Sequence, residues 1–141
     1  MHSQTAPNPI ETVKDEIRDQ RRHLSRGRTI LSENRTDNHL IGKFQAVAGA
    51  TVETDLNIVF SRRWKKVGLT ERENTVKFAA TVRCTGHGCA DPVHEVPATG
   101  EFLLDGDADE TAPAAQPVID AARKWAQQHA ETCRALPYSR Y

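Results

Sequence analysis

Export and membrane signals are what this chain most plainly lacks. Its opening residues, MHSQTAPNP, contain no apolar core, which a secretory signal requires. No run approaches the roughly 20 apolar residues that span a bilayer, so a cytoplasmic protein without membrane attachment is expected. Net charge is missing too, because 19 basic and 19 acidic side chains cancel. That argues against a surface given over as a whole to nucleic acid but leaves local basic patches open. Aromatic residues are scarce, with 4 Phe, 2 Trp and 2 Tyr among 141 residues, and the hydrophobic fraction is 38%. So lean a core favours an additional staple. Only 3 cysteines occur. An odd number in a reducing compartment speaks against a disulfide framework and for ligands, nucleophiles or core residues.

Residues 1–8 read as a disordered lead, and residues 9–141 as a single domain. Within it, 9–27 predicts a helix, 28–83 antiparallel strands, and 84–141 a zinc-stapled knuckle with a C-terminal helix. For the first helix, Asn8 is placed to cap, Pro9 occupies the first turn and Gly27 can stop it. Ile10, Val13, Ile17 and Leu24, with Gln20 between, form a narrow stripe that must dock on the chain's own sheet or on a second copy. Arg28–Leu31 predicts a short strand and Ser32–Asn38 a polar loop. Lys43–Glu53 and Leu56–Val67 predict two strands around a turn at Thr54–Asp55, with a further strand at Thr75–Arg83. Glu101–Leu104 adds a short one, and the acidic run Asp105–Gln116 reads as a solvated linker. That run mimics a calcium loop at Asp105, Asp107 and Asp109, but Glu110 replaces the required glycine and Gln116 the bidentate glutamate. The last helix is expected from Pro117 to about Arg134, with Val118, Ala122, Trp125, His129 and Cys133 on one face. The fold class is therefore α+β: an amphipathic helix, an antiparallel sheet of about four or five strands, and a knuckle closed by the C-terminal helix.

Two half-sites carry the chemistry. Cys84 and Cys89 flank a glycine-bearing turn, and His129 and Cys133 leave one helical face a turn apart. Zinc takes four thiolate and imidazole ligands in a tetrahedron, often two from a turn and two from a helix. The pattern C-x4-C … H-x3-C supplies that set, although roughly 40 residues separate the halves, more than in a compact finger. The competing readings are plain core residues and a Cys84–Cys89 disulfide, and His94 or His87 could stand in for His129. Four protein ligands would leave no open position for water, and HEVPA lacks the second histidine of a metalloprotease motif. The deaminase order, the phosphate loop and the nucleophile elbow are likewise missing, so no enzyme and no small-molecule substrate are expected.

Basic residues cluster twice, across Arg18–Arg28, including Arg21 and Arg22, and at Arg62, Arg63, Trp64, Lys65 and Lys66. Cations around an aromatic suit phosphates and a stacked base; the ordinary alternative is a solvated face. The function expected is a small zinc-stabilised regulatory module acting on a protein partner or as a homodimer. The alternative is a nucleic-acid-binding (DNA-binding) zinc-finger-like protein using the two clusters. Asn34-Arg35-Thr36 forms a glycosylation sequon, read here as an ordinary loop.

The C-terminal segment ARKWAQQHAETCRALPYSRY, preceded by the cysteine pair, resembles small uncharacterised zinc-finger-like proteins of actinobacteria. Trp125, His129, Cys133 and Tyr138 match their W-x3-H helix, second ligand and closing aromatic, over about the last 60 residues. The gap here is longer, and Cys133 stands near where such proteins often place a second histidine. The resemblance implies zinc binding and nothing more.

Overall fold

Alternation of apolar and polar residues builds the sheet and decides which side of it is covered. In β3 (Thr51–Trp64), Val52, Thr54, Leu56, Ile58 and Phe60 are fully buried while their neighbours stay partly exposed. β4 (Arg72–Cys84) repeats this with Val76, Phe78, Ala80, Val82 and Cys84. The two strands pair antiparallel from Val52–Cys84 to Trp64–Arg72. The computed structural model describes residues 3–4, 9–25, 34–64 and 72–137. The Asn8 cap, the Gly27 stop, the Arg28–Leu31 strand and Tyr138 lie outside these residues, as does most of the 1–8 lead. Ser3–Gln4 of that lead form a short strand, β1, on the free edge of β2 (Asn34–Gln45).

The antiparallel sheet runs β1-β2-β3-β4-β6, where β6 is Val93–Val96, and the two-residue β7 (Phe102–Leu103) also pairs with β4. Between β6 and β7, Thr99 exchanges hydrogen bonds with Phe78, so the edge of β4 is covered along much of its length. One face of the sheet carries the core; helices lie over it. These are α1 (Pro9–Ser25), α2 (Ala108–Thr111) with a 3-10 turn at Ala112–Ala115, and α3 (Gln116–Thr132). Among the described residues no helix is long and apolar enough to cross a membrane.

Three expectations need correction. The turn between β2 and β3 lies at Ala46–Ala50, closed by Ala46 N–H on the Ala50 carbonyl and by Gly49 at φ 99°. Thr54 and Asp55 instead sit inside β3, Thr54 inward and Asp55 outward against Arg83. Part of the SENRTDN loop is strand, because Arg35, Asp37 and His39 face the core side as a polar group of their own. The acidic linker is helical: Asp107 caps α2 by accepting from Asp109 N–H at 2.8 Å, and Ala108, Ala112 and Ala115 are buried. The apolar stripe of α1 is buried within this chain, with Val13 and Ile17 covered and Arg18 and Lys14 tied to Asp109. No second copy is needed to cover it.

A bulge at Ile41 lets both Ile41 and Phe44 face the core. Its freed carbonyl accepts from Arg123 Nη2 at 2.9 Å and Nε at 3.2 Å, so α3 is pinned where the ladder breaks. The face of α3 toward the sheet is Ile119, Ala122, Ala126 and Ala130, small enough for close approach. Trp125, His129 and Cys133 are thereby rotated to its flank.

Beneath α1, Arg35 donates to Gln20 Oε1 at 2.6 Å and to Asp37 Oδ2 at 2.7 Å, with Glu16 Oε1 3.6 Å from His39 Nε2. Burial, followed by the hydrogen bond and charge of Asp37, raises the Glu16 carboxyl to about 7. Burial alone would raise Asp37 as well, but Arg35 and the Glu16 hydrogen bond hold it below its ordinary value. A carboxyl whose folded pKa lies above its ordinary 4.5 favours the fold at low pH, and that contribution is lost as pH rises through about 7. Glu16→Gln keeps a donor toward Asp37 without the titration. Thermal melts should therefore show the variant gaining on the native chain at about pH 8.5 but not at about pH 5; a pH-independent difference contradicts this.

Candidate metal centre

β4 ends at Cys84, and the chain then makes a tight knuckle. Thr85 N–H is held by the Thr51 carbonyl, Cys84 N–H by the Pro92 carbonyl, and Cys89 N–H by the Gly86 carbonyl. Gly88 turns the corner at φ 75°, a left-handed conformation natural to glycine. The short strands β5 (Gly86–His87) and β8 (Leu136–Pro137) pair, which folds the segment after α3 back across the knuckle. Gly86 is where the two segments touch: a Cβ there would stand 2.5 Å from that of Ala135.

The structure brings Cys84, Cys89, His129 and Cys133 together, one ligand atom from each lying within 4.8 Å of all the others. Sγ of Cys84 is 3.8 Å from Sγ of Cys133, which is 3.9 Å from Sγ of Cys89; Cys89 Sγ is 3.4 Å from His129 Nε2. All three cysteines are free thiols, and these separations are far beyond the roughly 2.05 Å of a disulfide. Cys133 sits at the C-cap of α3, its N–H on the His129 carbonyl at 2.7 Å, so helix geometry sets the H-x3-C pair. Gly86 N–H donates to Cys84 Sγ at 3.4 Å, the kind of contact that steadies a ligating sulfur. Burial pushes the Cys84 thiol up to about 11; that Gly86 contact opposes the shift, and the Cys133 and Cys89 thiols add to it. An adjacent dication reverses such a balance by stabilising thiolate. These four residues can hold a metal ion.

Of the alternative ligands, His94 stacks on Trp125 with ring centroids 4.5 Å apart, and Trp125 stacks on His129 at 4.7 Å. That stack fixes the plane of the His129 ring and engages His94 elsewhere. His87 is exposed on the knuckle and outside the cluster. The orienting role of Trp125 went unread in the sequence, although its spacing of one helical turn from His129 was a usable signal. The stacking of His94 on Trp125 had no local signal, because His94 arrives through its pairing with Val82.

The basic clusters do not form one surface among the described residues. Strand alternation sends Arg62 to the core side beside Asn74, whereas Arg63 lies on the other face and pairs with Glu73 at 2.7 Å and Glu101 at 3.4 Å. Arg21 donates to the Gly106 carbonyl, and Arg18 and Arg22 pair with acidic neighbours. The Trp64 side chain, Lys65 and Lys66 lie outside the described residues. Two of the calcium-like aspartates are engaged as well, Asp107 as a cap and Asp109 as the partner of Arg18 and Lys14.

No protein-family model matches the chain, and comparisons with curated proteins and with solved structures return no match.

The close approach at Gly86 makes a sharp test of the knuckle. Gly86→Ala should lower stability by about 1–3 kcal/mol in denaturant melts, as overpacking does, and the double variant with Ala135→Gly should recover most of the loss.

Proposed function

We propose that this protein is a small zinc-stapled binding module of regulatory type, in which the metal is structural and no reaction is catalysed. One observation carries the zinc assignment. Zinc–sulfur bonds of about 2.3 Å and a zinc–nitrogen bond of about 2.0 Å in a tetrahedron set sulfurs about 3.8 Å apart and sulfur and nitrogen about 3.5 Å apart. The cluster offers 3.8 and 3.9 Å between sulfurs and 3.4 Å between Cys89 Sγ and His129 Nε2. Three thiolates and an imidazole also match the softness of zinc, and four protein ligands close the site against a reacting water. The W-x3-H element behind the actinobacterial resemblance acquires a physical role in this reading, since Trp125 steadies the ligand.

The binding role is supported by what surrounds the fastener. Val47 (51% exposed), Val93 (51%) and Leu136 (66%) are large apolar side chains left open. All three lie at the knuckle end of the sheet, on the β2–β3 turn beside Ala130, next to the knuckle on β6, and on β8. Exposed apolar side chains around a knuckle that a metal would hold rigid suit a partner protein or a second copy in the cytoplasm. The nucleic-acid reading is weaker, because strand alternation divides Arg62 from Arg63 and acidic neighbours neutralise much of the rest.

Native mass spectrometry of the full chain should find one zinc per chain, and the same spectra give the oligomeric state. Chelation should remove the ion and lower the melting temperature by tens of degrees, given the roughly 10–16 kcal/mol that structural zinc supplies in finger peptides. Cys133→Ser should abolish stoichiometric zinc. A metal-free protein, or one whose melt ignores chelation, sinks the proposal.

A further inference from the structure

The three thiols of the metal centre are not equivalent. Cys84 closes a core strand, is only 7% exposed, and takes the Gly86 N–H on its sulfur. Cys89 and Cys133 are only half-buried, one on the knuckle and one at the C-cap of α3. Their sulfurs lie 3.9 Å apart. Closing that gap to the roughly 2.05 Å of a disulfide is within the swing of two cysteine side chains between rotamers. A bond there would tie the same two segments that the metal ties, the knuckle and the end of α3. It would also leave Cys84 and His129 as the only ligands, two where zinc needs four.

We propose that the metal centre is a modification site for hydroperoxides, at which Cys89 and Cys133 are oxidised to a disulfide and the zinc leaves. This rests on the zinc reading given above and supplies its regulation. One thiolate of the pair attacks a peroxide oxygen, the O–O bond breaks, and a sulfenic acid forms as hydroxide departs. The other thiolate then attacks that sulfur, making the S–S bond and expelling a second hydroxide. Two electrons pass from the sulfurs to the peroxide, and two protons from solvent convert both hydroxides to water when the oxidant is hydrogen peroxide. The zinc departs as the dication. Because the new bond spans the knuckle and the helix, the oxidised chain stays crosslinked where a chelated, reduced chain does not.

The test treats the full zinc-loaded chain with a small excess of hydrogen peroxide and follows it by native mass spectrometry and peptide mapping. The expected product has lost its zinc, weighs two hydrogen atoms less than the reduced metal-free chain, and carries its bridge between Cys89 and Cys133. It should melt above the chelated, reduced chain, and a dithiol reductant with added zinc should restore the starting mass. Cys84→Ser should still form the bridge, and Cys89→Ser should not; if either variant fails to fold, the map of the native chain decides alone. A bridge that includes Cys84, a bridge between two chains, or oxidation to sulfinic acid without a bridge overturns the proposal. A chain that carries zinc and keeps it under peroxide overturns the proposal and leaves the zinc reading standing. A chain without zinc before any peroxide is added overturns the zinc reading and this proposal with it.

Discussion

The meeting of the end of β4 with the end of α3 is the constraint on which the rest of the molecule turns. Cys84 closes a strand whose inward residues form the middle of the core, and Cys133 closes the helix that covers that strand. Their sulfurs lie 3.8 Å apart although the residues are far apart in sequence. Without a cation, three thiols packed with an imidazole at a half-buried site bring little cohesion, and burial works against ionising Cys84. With one, the same crowding becomes a crosslink between layers, and everything between Cys89 and His129 is enclosed in a loop anchored at both ends. That loop includes β6, β7, α2 and most of α3.

Such a crosslink answers a weakness in the core. The large aromatic contribution comes from Phe60, Phe78 and Phe44, while α3 meets the sheet through alanines. Alanine permits close approach but buries little apolar area, and burial supplies about 25 cal/mol per Å². Arg123 on the bulge carbonyl and the tetrad at the helix end hold α3 at two further points. Polar contacts thus fix the position of a helix whose packing face alone would grip weakly, and a metal held by the tetrad would add to them.

The cluster of Cys84, Cys89, His129 and Cys133 was legible in the sequence because its residue types are rare and each half is local: a turn spacing and a helical spacing. The alternation of Val52 through Phe60 and of Val76 through Val82 was equally plain. Elsewhere the sequence misled for physical reasons. The turn at Ala46–Ala50 contains one glycine among small apolar residues, whereas Thr54–Asp55, polar and adjacent, looked like a turn until Thr54 proved buried. Asn34–Asn38 has loop composition, yet Arg35 and Asp37 satisfy one another and Gln20 on the inner face, a pairing that only α1 supplies. Asp105–Gln116 read as solvated because its buried residues are alanines, the weakest apolar signal available.

The sheet finally has two unlike ends, and its strands explain why. At the knuckle end, β3 and β4 finish in Val52 and Cys84, apolar or thiol-bearing residues that metal and backbone contacts can close. At the other end the same inward positions are occupied by Arg62, Asn74 and Arg72, which no apolar core can accept. Continued alternation delivers these groups to the covered side. Leu104 is buried at the rim, but Leu103 and Arg21 remain open. Arg62 Nε and Asn74 Oδ1 are buried there without a hydrogen-bond partner among the described residues, a cost that an apolar pair at the same positions would not carry.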